Sequence, residues 1–431
     1  MTAKRSSLGW RLRWTTLAAF ASVIGLALQA AIASAAPVVF PELPQPGLAS
    51  FSNFSPRVRA LLVHGDTIYV GGNFRVSQGS VTKTNLAAFD FNGNLKSAFT
   101  AAPNGTVFAL ATDGVSLFVG GEFTRLGLKR RLAAVDLVTG AENRRFTAHV
   151  DGVLDAEVDT AVRALAIATD PSTTPPTARL VVGGNFTQIN SPTDNRFGIA
   201  ALDPVSGDLD ARAFSQAVQG GFVEALFASD RAVYVGGSFT QIGTRTTSLA
   251  ALSLAGSVRN SYAAGGEPIM DLDYDPVSNR LFAAVGGAGN RVMAFDGGGS
   301  NRGNPVWQGP RTGGDVQAVH YFGGNVYFGF HDGLFVEPDA YKLAVLDAAT
   351  GTFEVDAEHA GLACDGTEAL QPNCWLPTLD VSTGGQGFFG TWVITHLVDP
   401  STQKASLIVG GEFTQVGNVT NTRRFAIFRE P

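Results

Sequence analysis

Side chains able to do chemistry gather at only a few points of this 431-residue chain. Asp271, Asp273 and Asp275 alternate along one apolar stretch, so in an extended strand their carboxylates face the same way. Asp151, Asp155, Glu157 and Asp159 form a second acidic group in a loop-like stretch. Hard carboxylate oxygens suit calcium, which makes these the calcium candidates, although neither group has the EF-hand spacing with its central glycine and closing glutamate. His320 and His396 fall on corresponding strands of consecutive repeats, and a shared metal is the chemistry that pair suggests; the other histidines are scattered. Cys364 and Cys374 are the only cysteines, ten positions apart with no histidine at ligand spacing, and they read as a disulfide closing a small loop. There is no Gly-x-Ser-x-Gly nucleophile elbow and no His-Glu-x-x-His zinc helix. Carboxylate pairs for glycoside chemistry stay open, because their partners can come from distant segments.

The elements that must position these groups begin after a leader. Lys4, Arg5, Arg11 and Arg13 precede an apolar run from Leu17 to Ile32, and Ala33-Ser34-Ala35 supplies a cleavage-like triplet. Residues 1–35 therefore read as a secretory signal peptide and 36–47 as an N-terminal extension, which predicts a secreted, extracellular protein. The net charge of −6 becomes −10 once the four basic leader residues are gone. An acidic chain without a basic run argues against nucleic acid and anionic lipid as partners.

A repeat organises the rest. Val70-Gly-Gly-Asn-Phe74, Val119-Gly-Gly-Glu-Phe123, Val182-Gly-Gly-Asn-Phe186, Val235-Gly-Gly-Ser-Phe239 and Val409-Gly-Gly-Glu-Phe413 are five copies of one word. Degenerate copies at Val285-Gly-Gly-Ala288 and Phe328-Gly-Phe330 bring the total to seven. Before each lies a short apolar strand, as in Val58-Arg-Ala-Leu61 and Val162-Arg-Ala-Leu165, and after each a strand such as Leu132-Ala-Ala-Val-Asp136. A turn and an aromatic follow: Phe99, Phe146, Phe214, Tyr262, Trp307 and Phe353. Four strands in each of seven copies predict an all-β, seven-bladed β-propeller of antiparallel blades over residues 48–431, with an insertion at 354–390 between blades 6 and 7. The seventh copy lacks a fourth strand, so residues Leu48 to Phe51 are expected to complete the last blade and leave no unpaired edge. Alanine pairs allow close sheet-to-sheet approach, the recurring phenylalanine fills the wider gap, and the glycine pairs permit a bulge or positive φ.

The words Val-Gly-Gly-x-Phe-Thr and Leu-Ala-x-Leu-Asp resemble the delta-60 type of β-propeller repeat of exported bacterial proteins, and more distantly kelch-like repeats. The resemblance spans residues 48 to 428 and departs in copies five and six. It implies a fold and an exported location, and no catalytic residues.

Within such a propeller the longer loops fall on one face: Arg75 to Asn85, Thr147 to Ala161, Asn190 to Phe197, His331 to Lys342, Glu354 to Gly390 and Gly417 to Arg423. Elaborated loops on a rigid scaffold mark the binding face. The second residue of each inner strand belongs at the channel mouth on that face: Arg59, Phe108, Arg163, Glu224, Met270, Gln317 and Trp392. Arg59, Arg163 and Trp392 suit an anionic or sugar-like ligand through charge-assisted hydrogen bonds and stacking; solvated lining or inter-blade salt bridges are the plainer role. The expectation is a monomeric, non-enzymatic binding scaffold for an unidentified protein or glycan, with no cofactor other than possible calcium. An enzyme acting on a carbohydrate or small molecule at the same mouth is the alternative.

Overall fold

The computed structural model describes residues 50–298, 303–331, 342–353, 379–380, 390–413, 415–416, 419 and 422–430. The leader, the rest of the 354–390 insertion and the Cys364/Cys374 pair lie outside the described residues. The described chain is all-β and antiparallel, and no helix in it is long and apolar enough to cross a membrane.

Seven principal sheets follow the seven sequence copies. Their first strands are Ser50–His64, Val107–Thr112, Ala161–Asp170, Val223–Ala228, Ile269–Asp275, Val316–Phe322 and Thr391–Val398. Their second strands are Thr67–Gln78, Ser116–Gly121, Thr177–Asn185, Val233–Gly237, Arg280–Val285, Asn325–Phe330 and Ala405–Gly411. The third are Val81–Asp90, Leu132–Asp136, Ile199–Leu202, Leu249–Leu252, Arg291–Asp296, Leu343–Asp347 and Phe425–Arg429. Each first strand packs against the first strand of the next sheet, and that of sheet 7 packs against that of sheet 1. Third strands such as Leu132-Ala-Ala-Val135 are buried on both faces, which is why they lack polar alternation.

The glycine pairs have two separate jobs. A Cβ on Gly120 would come within 2.5 Å of Val162 on the next sheet's first strand, and one on Gly410 within 2.4 Å of Val58. The first glycine therefore sets how closely neighbouring sheets approach. A Cβ on Gly121 would lie 2.1 Å from the Thr106 carbonyl of its own sheet, because a bulge pushes that backbone inward. Bulge formation, rather than positive φ, is what the pair permits here. Where a third strand runs into an aspartate, that residue caps the turn: Asp136 accepts from the Val138 and Thr139 amides, and Asp203 from those of Val205 and Ser206.

Two expectations need correction. Among the described residues only sheets 4 and 5 have a fourth strand, Val258–Ser261 and Trp307–Gln308. In sheets 1, 2, 3 and 6 the fourth element shrinks to a single bridge, Phe89↔Leu95, Val135↔Glu142, Leu202↔Leu209 and Leu346↔Phe353. Phe99, Phe146 and Phe214 are still buried, so the aromatic anchor holds the segment without a ladder. The N-terminal stretch does not pair with Phe425–Arg429; Ser50, Phe51 and Ser52 pair with Ser77, Val76 and Arg75 inside sheet 1. Leu48 lies outside the described residues. The reason is visible in three small accessory sheets. In each, the segment entering a principal sheet pairs with the loop between that sheet's second and third strands: Val150–Asp151 with Gln188–Ile189, Val218–Gln219 with Gln241–Ile242, and Leu379–Asp380 with Gln415–Val416. Ser50–Ser52 is the same entry segment for sheet 1. Phe51 still touches the last strand, its ring 6.0 Å from that of Phe425.

Candidate functional site

Every first strand carries a bulge where it meets the glycine end of the second strand or its counterpart. In sheet 1, Val58 pairs with Gly72 and Ala60 with Gly71, leaving Arg59 unpaired between them. The same skip isolates Phe108, Arg163, Glu224, Met270, Gln317 and Trp392. A bulge re-aims its side chain and ends regular pairing. These are the seven residues that the sequence singled out.

Several of them meet. The Arg59 guanidinium lies over the Trp392 ring, 3.5 Å from its centroid. Arg163 lies over Phe108 at 5.0 Å and over Phe222 at 4.7 Å, and its Nη1 is 3.3 Å from Glu224 Oε2. Arg57 Nε is 2.8 Å from Glu412 Oε2, and Arg424, almost fully buried, donates to the Glu412 carbonyl. Burial pushes Arg59 down to about 9, with Arg57 and Arg163 adding to the shift and Glu412 and Glu224 opposing it; the group stays charged at neutral pH. Burial also lowers Arg424, to about 10, and raises Glu224, whose charge Arg163 and Arg59 favour. The Nε atoms of Arg59 and Arg163, Nε1 of Trp392 and Oε1 of Gln317 are buried without a hydrogen-bond partner. Met270 packs instead against the apolar cluster between sheets 5 and 6.

Asp271, Asp273, Asp275, Asp151 and Asp155 have structural partners. Asp271 Oδ2 accepts from the Val319 amide at 3.0 Å and Asp273 Oδ2 from the Tyr321 amide at 2.8 Å, so both cap the exposed edge of the next sheet's first strand. Asp275 turns back to the Val277 amide and the Ser278 hydroxyl. Asp151 is paired with Arg130 and Arg131, and Asp155 caps the Glu157 amide. Asn185 holds this second loop by accepting from the Leu154 and Asp155 amides and donating to the Asp155 and Val158 carbonyls. Among the described residues no group of three or more His, Cys, Asp or Glu side chains is arranged to hold a metal ion.

His320 and His396 do come together, but on each other. His320 Nε2 is 2.7 Å from His396 Nδ1, and His320 Nδ1 is 2.8 Å from Asp273 Oδ2, a chain running through sheets 5, 6 and 7. His396 stacks on Phe322 at 4.1 Å, and burial, then His320, pushes its pKa down to about 3. Burial pushes Asp271 up to about 7.

Arg57, Phe222, Glu412 and Arg424 escaped the sequence reading. A signal for Glu412 was present: it is the variable letter of Gly-Gly-x-Phe, where other copies have Asn73, Glu122, Asn185 and Ser238. Glu122 lines a separate cleft of about 420 Å³ with Asn104, Gly105, Thr124, Arg131, Asp159 and Thr160.

No family model and no curated protein matches the chain. Among solved structures it is similar to the crystal structure of the computationally designed Ika8 protein, at 14% identity and a TM-score of 0.47, over 89% of this chain and 100% of that one.

Proposed function

We propose that the chain is an exported, monomeric, seven-bladed β-propeller of the delta-60 repeat kind, working as a non-enzymatic binding scaffold whose ligand sits at the axial mouth. The sheet-to-sheet order, returning from sheet 7 to sheet 1, supports the blade arrangement. The observation that carries the binding reading is the repeated bulge. It is the same backbone device seven times, yet it presents Arg, Phe, Arg, Glu, Met, Gln and Trp. A position with a purely structural task would hold closer to one residue type, as the glycines and alanines beside it do in sheets 1 to 4. Three accessory sheets built from loops at this end add surface to it.

The test is a thermal-shift screen of mature protein against glycans, calcium and chelator. A ligand is expected to raise the melting temperature, and Arg163→Ala and Trp392→Ala to remove most of that rise. A rise that survives both substitutions places recognition elsewhere. A second reading, an enzyme on a carbohydrate, is favoured by the cleft that both Glu122 and Asp159 line. Turnover of an oligosaccharide panel that is lost in Glu122→Gln would support it.

A further inference from the structure

We infer that the mouth is an oxyanion site, which recognises a carboxylate, sulfate or phosphate group through Arg59 and Arg163. The inference rests on the binding-scaffold reading and narrows its ligand.

Charge supplies the first argument. Arg57, Arg59, Arg163 and Arg424 surround two carboxylates, Glu224 and Glu412. Glu412 is taken by Arg57 and Glu224 by Arg163. No described carboxylate lies within ion-pair distance of Arg59, so this cation with a buried Nε has no direct ion pair; Glu412 and Glu224, each paired to another arginine, favour its charge only from farther off. Desolvating a charge without a partner is costly, and such groups normally pair. A bound anion is the missing partner.

Hydrogen bonding gives the second. The buried atoms of Arg59, Arg163, Trp392 and Arg424 that lack a hydrogen bond are N–H donors, and they outnumber the buried acceptors that lack one there, Gln317 Oε1 and Glu412 Oε2. An oxyanion offers acceptor oxygens and charge together, and bonds to it are charge-assisted.

Aromatic geometry gives the third. One face of Trp392 is covered by Arg59, while Phe108 and Phe222 each carry Arg163. The rings therefore orient guanidinium planes and so pre-organise the cations.

Calorimetry on the mature protein at low salt, with inorganic sulfate, inorganic phosphate, galacturonate and galactose as probes, tests this. Sulfate or phosphate binding, with galactose silent, supports a bare oxyanion site. Galacturonate binding with galactose silent supports the same site fed by an acidic sugar. In both cases affinity should fall as sodium chloride is raised. Arg59→Met keeps the stem on Trp392 and removes the charge, and should weaken binding on the order of tenfold. Arg59→Lys keeps the charge, should lose less, and serves if the methionine variant does not fold. Galactose binding as well as galacturonate, or affinity unchanged in both Arg59 variants, overturns the oxyanion inference and leaves the scaffold reading standing. Silence of all four probes overturns the inference too, and the glycan screen then decides the scaffold reading alone.

Discussion

Burial holds two ionisable side chains of the first-strand layer in their neutral forms, and they act on stability in opposite senses. His396 titrates near 6.5 when unfolded and at about 3 when folded. Between those values only the unfolded chain takes the proton, so this group makes stability rise with pH. Asp271 titrates near 3.8 unfolded and at about 7 folded, so between those values the folded chain keeps its proton and stability falls as pH rises. Each slope approaches about 1.4 kcal/mol per pH unit, and the two cancel over roughly pH 4 to 6.5. In the natural protein these two contributions should therefore offset each other there, which removing either one in a urea-midpoint series exposes. Asp271→Asn should make stability climb with pH, and His396→Phe, which keeps the stack on Phe322, should make it fall. Parallel pH profiles for the three proteins would contradict this account. The sequence reading named both residues, but under calcium and under a shared metal. Alternation along a strand told which way Asp271 and Asp273 point; it did not tell that the neighbouring strand offers unpaired amides of Val319 and Tyr321 at that spot.

At the scale of the element, the recurring word Val-Gly-Gly-x-Phe records two steric demands, one between sheets and one within. Gly121→Ala would drive a methyl onto the Thr106 carbonyl, which is rigid backbone, and the bulge at Phe108 would have to flatten. Overpacking of this kind costs about 1–3 kcal/mol. Gly65, by contrast, turns through φ 58° with nothing within 4 Å of a Cβ, so Gly65→Ala should cost only about 1 kcal/mol of left-handed strain. Chemical denaturation of the two variants measures the difference, and an equal cost would show that the Gly121 contact relaxes freely. The seven copies were legible in the sequence because each repeats the same packing constraint. The missing fourth strands were not, since Phe99 and Phe146 keep their buried sockets whether or not a ladder forms around them. The fate of Ser50–Ser52 was illegible for a similar reason: its offset from Val58 fits both a fourth strand and an entry segment, and only the length of the Thr67–Gln78 strand decides between them.

For the whole molecule, the question is whether the first and last sheets hold one another. Arg57 and Glu412 are 355 positions apart in the chain, yet their side chains are 2.8 Å apart, with Glu412 only 1% exposed. Beside them Phe89 stacks on Phe425 at 5.3 Å, and Arg429 donates to the Phe91 carbonyl. A propeller needs this seam, because an unlatched array would leave the flanks of sheets 1 and 7 wet and their apolar side chains exposed. Glu412→Gln alone should be destabilising, by about 2–3 kcal/mol, less than a fully buried pair would lose because Arg57 is 35% exposed. That loss by itself does not report contact, since a buried glutamine also disturbs Arg424. A double-mutant cycle with Arg57→Met does, because residues that touch couple by about 0.5–3 kcal/mol and residues far apart do not. Coupling of about 1 kcal/mol or more is expected from urea melts of the four proteins. Strict additivity would count against this latch between sheets 1 and 7, and so against the closed ring and axial mouth proposed above.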